Sequence, residues 1–112
     1  MRAFNTRNGK VLSDNVEVAD SVFGRMKGLI GKEGLDKGSS LWIKPCRGVH
    51  TIGMKFSIDV LFLDSGNRVV WMKQDMPPNR LSRIVFKARS VLELPAGTVS
   101  AAETRVGDKI CF

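Results

Sequence analysis

One histidine, two cysteines and no tyrosine in 112 residues leave this chain with few of the side chains that site chemistry uses most. Cys46 and Cys111 are too few for a disulfide scaffold. A structural zinc site takes four Cys or His ligands and a catalytic one takes three protein ligands, but only Cys46, His50 and Cys111 are available before carboxylates are recruited, and their spacing matches no standard zinc motif. Neither a metal nor another cofactor is therefore expected. There is no Walker loop, no G-x-S-x-G elbow and no dinucleotide fingerprint. No apolar run approaches the roughly 20 residues of a membrane span. The first ten residues, MRAFNTRNGK, lack the apolar stretch of a secretory signal, so the expected location is the cytoplasm, with reduced thiols. A Cys46–Cys111 disulfide is expected only if the mature protein sits outside the cell. Repeats, low-complexity runs and linker-like stretches are missing as well, which reads as a single domain over residues 1–112.

Acidic residues are the scarcer charge. Eighteen Lys and Arg against eleven Asp and Glu give a net charge of +7 and a pI near 9.9, a field that favours acidic partners: nucleic acid, an anionic membrane surface or an acidic protein. The cations are spread from Arg2 to Lys109 with no basic block or RNA-recognition motif, so nucleic-acid binding has charge behind it but no motif.

An apolar share of 43% is enough for one core, and its patterning reads mostly as strands. "SIDVLFLD" and "RVVWMK", joined by Asp64-Ser65-Gly66-Asn67, form the clearest hairpin. Alternation puts Ile58, Val60 and Phe62 on one face and Asp59, Leu61 and Leu63 on the other, so both faces are expected to be largely buried. Shorter strand candidates are 11–12, 16–18, 41–44, 84–87, 91–94 and 109–112. One amphipathic helix is expected from Val22, Phe23, Met26, Leu29 and Ile30, capped by Asp20 or Ser21 and stopped by Gly31 and Gly34. Gly24 and Gly28, four apart on it, suggest the close approach of another backbone. A short helical turn is expected at 98–104, before Val106-Gly107-Asp108 reverses the chain. The expected fold class is α+β, predominantly β: a compact, barrel-like antiparallel or mixed sheet of short strands with one or two short helices.

The central stretch "CRGVHTIGM", Cys46 to Met54, gathers most of the unusual chemistry. A catalytic Cys46/His50 pair, of the kind used by a hydrolase or transferase, needs imidazole and sulfur in hydrogen-bond reach. Four extended residues span roughly 13 Å and four helical ones about 6 Å, so only a turn at Gly48 folds His50 back onto Cys46. Cys46, His50 and Met54 are also the groups a soft metal prefers, although methionines scattered through a core are more often packing. Asp59 and Glu93 lie inside apolar runs, where a buried charge needs a partner. Arg80 and Arg83, just after Pro77-Pro78, are the candidate partners.

Taken in order, "ADSVFGRMKGLIGK", "CRGVHTIGMKFSIDVLFLD", "NRVVW", "PPNRLS", "ARSVLELPAGT" and "VGDKI" resemble a widespread prokaryotic family, the domain of unknown function 192. The first of these is similar to the family's R-x-x-GL-x-G-[RK] element, with Arg25, Gly28, Leu29, Gly31 and Lys32 in its places. The resemblance implies a small, mostly β fold with a short helix or two, and no activity. Many exported relatives carry a Trp-Met-x-Asn-Thr form where this chain has Cys-x-Gly-Val-His-Thr-x-Gly-Met. That exchange tells against a histidine-dependent mechanism common to all members, and the export of some relatives implies an envelope or secretion-associated role as one option. The reading from sequence is a non-enzymatic module that binds a small molecule, a peptide or a protein, most readily an acidic one. Its candidate site residues are His50, Thr51, Met54, Asp59, Arg80 and Glu93 in one shallow polar pocket.

Overall fold

Six consecutive buried residues, Ile58–Leu63, form a strand with no solvent face, and the remaining elements are arranged to cover its two sides. In this computed structural model the backbone of residues 1–112 is described, with every side chain except those of Val22, Phe23 and Met26. In chain order the elements are β1 (Ala3–Asn5), β2 (Val11–Ser13), β3 (Asn15–Ala19), α1 (Val22–Lys27), β4 (Ser39–Ile43), β5 (Ile58–Leu63), β6 (Val69–Met76), β7 (Ser90–Pro95), α2 (Thr98–Ala101) and β8 (Ile110–Cys111).

They make two sheets. The larger has the order β3-β4-β7-β5-β6 and the smaller β2-β1-β8. Only the β3–β4 pair is parallel, with α1 in the connection between them. The class is α+β and mainly β, as the strand patterning implied, but the sheets do not close into a barrel. The edge strands of the small sheet are short, with three residues in β2 and two in β8, whereas the large sheet ends on β3, with five, and β6, with eight.

The strict two-residue period of β5 separates two cores. Leu61 and Leu63 pack with Trp42, Leu92, Leu94, Val99 and Ile110, a layer that also takes in Ala3 and Leu12 from the small sheet. Ile58, Val60 and Phe62 pack on the other side with Leu41, Ile43, Met54, Met76 and Val91, together with Leu29 and Ala88 from loops. The hairpin forms as its sequence suggests. Asp64 Oδ1 accepts from the amides of Gly66 and Arg68, both at 2.9 Å, and Asn67 takes a φ of +61°.

Three expectations are corrected. The helix ends at Gly28, earlier than Gly31, because Gly28 turns left-handed (φ +49°) and its amide bonds back to Gly24 O. Ser21 is the cap, accepting from the Gly24 amide. Of the expected stripe, Val22, Phe23 and Met26 lie outside the described side chains, while Leu29 and Ile30 follow the helix. Gly28 therefore serves conformation, and a Cβ there would meet nothing within 4 Å. Residues 84–87 are not a strand either. Residues 80–85 instead pair irregularly with 47–51, through Val85 N to Arg47 O, Ser82 N to Val49 O and Thr51 N to Arg80 O. Side chains interrupt the ladder, with Ser82 Oγ accepting from Val49 N.

Asp59 is fully buried on the Leu61 side of β5, where its carboxylate accepts from the amides of Asp75 (2.8 Å), Gly97 (3.1 Å) and Val99 (2.9 Å). It fastens the start of α2 to the sheet. Asp59→Ala is expected to lower the unfolding free energy by about 3 kcal/mol, since it leaves three backbone donors unpaired. Asp59→Asn keeps one acceptor oxygen and should cost less; urea denaturation that finds the alanine variant as stable as the parent would disprove the role.

Candidate functional site

β7 lies between β4 and β5, with Glu93 opposite Leu41 on one side and Val60 on the other. The side chain projects from the Ile58–Val60–Phe62 face into apolar surroundings. Glu93 is 3% exposed, and among the described residues no hydrogen bond or ion pair reaches its carboxyl. Burial pushes its pKa up to about 7.

Over this face the end of α1 and the 45–54 loop enclose a cleft of about 430 Å³ with Glu93 in its wall. Ile43, Leu29, Met54 and Cys46 supply the apolar surface, while Arg25, Lys27, Arg47 and His50 supply polar groups. Met54 is buried and Arg25 half-buried; Lys27, Arg47 and His50 are exposed. Arg25 Nη1 donates to Pro45 O at 3.3 Å, tying the helix to the loop across the cleft. Electrostatically the site is layered, with one carboxyl at depth and three cations towards the solvent.

Of the residues expected in one pocket, His50, Met54 and Glu93 meet here, joined by Cys46. Thr51, Asp59 and Arg80 are not among the lining residues. Asp59 faces the opposite side of the sheet and has backbone amides for partners, so neither Arg80 nor Arg83 pairs with it or with Glu93. Thr51 is fully buried; its hydroxyl donates to Pro77 O at 2.6 Å and accepts from Arg80 N at 2.9 Å, which joins the two loops. The exposed Arg80 guanidinium lies against the carbonyls of Pro78 and Asn79, each at 3.4 Å. Gly53 has a φ of +81° and its amide donates to Asn79 Oδ1. Arg25, Lys27 and Arg47 were missing from the expected site. The one sequence signal for them was Arg25 in the R-x-x-GL-x-G-[RK] element.

Cys46 and His50 both line the cleft, yet the thiol donates to Gly48 O at 3.1 Å, and among the described residues no hydrogen bond links it to the imidazole. Burial pushes the Cys46 thiol up against the pull of the Gly48 backbone; the Glu93 carboxylate adds to the rise and Arg25 opposes it. Both cysteines are free. Among the described residues no three His, Cys, Asp or Glu side chains gather as a metal would need, and no helix is long and apolar enough to cross a membrane.

A carboxyl raised in the folded state binds its proton more tightly there than in the unfolded chain. Its contribution to stability is therefore present below the ordinary glutamate range and is lost as pH rises towards 7. The full change is worth roughly 3 kcal/mol. Thermal melts should show the protein losing stability between pH 5 and 8 by more than Glu93→Gln does. Equal slopes for the two proteins would contradict the buried-carboxyl account.

Comparison with known proteins agrees with this architecture. A Novosphingobium aromaticivorans protein of unknown function superposes with a TM-score of 0.87 at 18% identity, over 100% of this chain and 84% of the other. A Sinorhizobium meliloti protein, whose name suggests a transcription regulator, gives 0.81 at 22% identity over 98% and 89%. At these identities the likeness is one of fold. In sequence the chain is 32% identical to a UPF0127 protein of Thermococcus sibiricus, over 95% of this chain and 71% of the relative. It is 34% identical to a UPF0127 protein of Pyrococcus horikoshii, over 85% and 84%. The family model of the domain of unknown function 192, described as an uncharacterized ACR, matches residues 3–112, and the chain belongs to that family.

Proposed function

We propose that residues 1–112 act as a single non-enzymatic binding domain whose cleft takes a small bipolar molecule or a peptide end. An ammonium or other donor of the ligand meets Glu93, and a carboxylate or other anion meets Arg25, Lys27 and Arg47. The observation that carries this reading is the Glu93 carboxyl, buried in a central strand with no partner yet bordering open space. A buried carboxyl that only stabilised the fold would be expected to hold backbone amides, as Asp59 does. Its counterpart in solution is a donor brought by the ligand, and an ionised donor there would draw the raised pKa of Glu93 back down.

The cations give the ligand its second pole. A simple amine is repelled by Arg25, Lys27 and Arg47, whereas a molecule with an anion at its other end is attracted by them. Catalysis through Cys46 has less support, because burial disfavours the thiolate and the hydrogen bond of the thiol goes to Gly48, with none to His50 among the described residues. Nucleic-acid binding rests on net charge alone.

The expected outcome is that free α-amino acids and short dipeptides, screened by thermal shift at millimolar concentration, include members that raise the melting temperature by several degrees. N-acetylated or C-amidated forms of the same compounds should lose the effect, and Glu93→Gln should abolish it. If no zwitterion in the panel shifts the melt, or if Glu93→Gln responds as the parent does, the reading fails.

A further inference from the structure

Four large apolar side chains stand in solvent on one pair of loops. Ile52 is 52% exposed, Leu81 74%, Ile84 56% and Phe86 79%. They belong to the segments 45–54 and 77–89, which are hydrogen-bonded to each other into an irregular ribbon outside both sheets. Its inward side chains, Val49 and Val85, pack on the core beneath. Ile84 lies so close over Gly48 that a Cβ there would come within 2.7 Å of Ile84 Cδ1. The ribbon is therefore anchored on one side and apolar on the other.

Charge follows the same boundary. These two segments contain Arg47, Arg80, Arg83, Lys87 and Arg89 and no Asp or Glu. All of these cations are exposed, and among the described residues none takes part in an ion pair. Arg47, Arg80 and Arg89 lean on main-chain carbonyls, and Arg83 lies 5.8 Å from the Trp71 ring centre. In "RLSRIVFK", Arg80 to Lys87, each exposed apolar side chain stands next to a cation.

We propose that this ribbon docks the protein on an anionic bilayer surface. Leu81, Ile84, Phe86 and Ile52 enter the headgroup region while the neighbouring arginines and lysine stay with the lipid phosphates. Charge of a single sign decides between occupants. Arginines also occur in protein interfaces, but these two segments carry five cations and no anion along with the apolar groups, the complement of a surface of one charge sign. A nucleic-acid surface would use aromatic faces for stacking, and three of the four exposed groups are aliphatic. Side chains standing this far from the body suit a medium that deforms around them.

The experiment is flotation of the full chain with phosphatidylcholine vesicles, with and without phosphatidylglycerol. Binding is expected only to the anionic vesicles, weakening with salt. Arg80→Gln with Arg83→Gln should reduce it by on the order of tenfold. Leu81→Ser with Phe86→Ser should reduce it comparably at an unchanged melting temperature, since both side chains are exposed. In Phe86→Trp, anionic vesicles should shift the added emission to the blue, and lipids with brominated chains should quench it. No flotation with anionic vesicles at low salt would overturn the proposal, as would binding that survives the double serine change. Self-association or RNA retention that is lost in Leu81→Ser/Phe86→Ser, without any vesicle binding, would assign the ribbon to another partner.

Discussion

The pairing of β5 with β7 is the constraint on which the rest of the molecule depends. Both strands sit inside the five-stranded sheet and have apolar neighbours on both faces, so every side chain they carry is committed to one core or the other. Their register sets Asp59 beside Leu94 and Val60 beside Glu93. Two carboxylates thus enter the interior on opposite faces and meet different environments. On one face the α2 amides receive Asp59. On the other, Glu93 meets aliphatic side chains and the open cleft. A polar group buried without hydrogen bonds costs on the order of 1–3 kcal/mol, so the second arrangement asks for a reason that the first does not.

At the far end of the chain the opposite solution appears. Asp108 accepts from Arg7 Nε at 2.8 Å, Asn5 Nδ2 at 2.8 Å and Arg105 N at 3.0 Å, and the Arg7 bond leads the interactions that draw its pKa down to about 2. This cluster ties β1 to the segment before β8 and closes the small sheet over the Leu61 core. Asp59 and Asp108, the two other buried carboxyls, both have donors within reach, whereas the buried Ser90 Oγ and Trp42 Nε1 have no partner among the described residues. Glu93, at 3% exposed more deeply buried than Asp108 at 7%, is the one of these three carboxyls without a donor among the described residues, and it marks the face where loops replace regular structure.

The hairpin of β5 and β6 was legible because alternation and the Asp-Ser-Gly-Asn turn are local signals, and the division of Asp59, Leu61 and Leu63 from Ile58, Val60 and Phe62 came with them. The convergence of Asp59 with Glu93 was not a local question. It depends on the β5–β7 register between residues some thirty positions apart, and that register puts them on opposite faces. The helix was overextended because Leu29 and Ile30 keep the apolar spacing past Gly28, where the backbone has already turned. Arg25 and Lys27 could not be placed over Glu93 without the parallel β3–β4 crossover, which brings α1 onto that face. Segment 84–87 carries the β-branched and aromatic residues of a strand, yet no regular ladder partner is available to it. What remains is an anchored ribbon with its apolar side outward.

The Glu93 carboxyl is almost fully buried, borders an open cleft and has no protein donor among the described residues. The most direct measurement is the side-chain ¹³C resonance of Glu93 followed through a pH titration of the folded protein. A midpoint near the expected value of about 7 would support the account. A midpoint near 4.5, the ordinary value for a glutamate, would show that water or a protein partner already satisfies the group, and would contradict it.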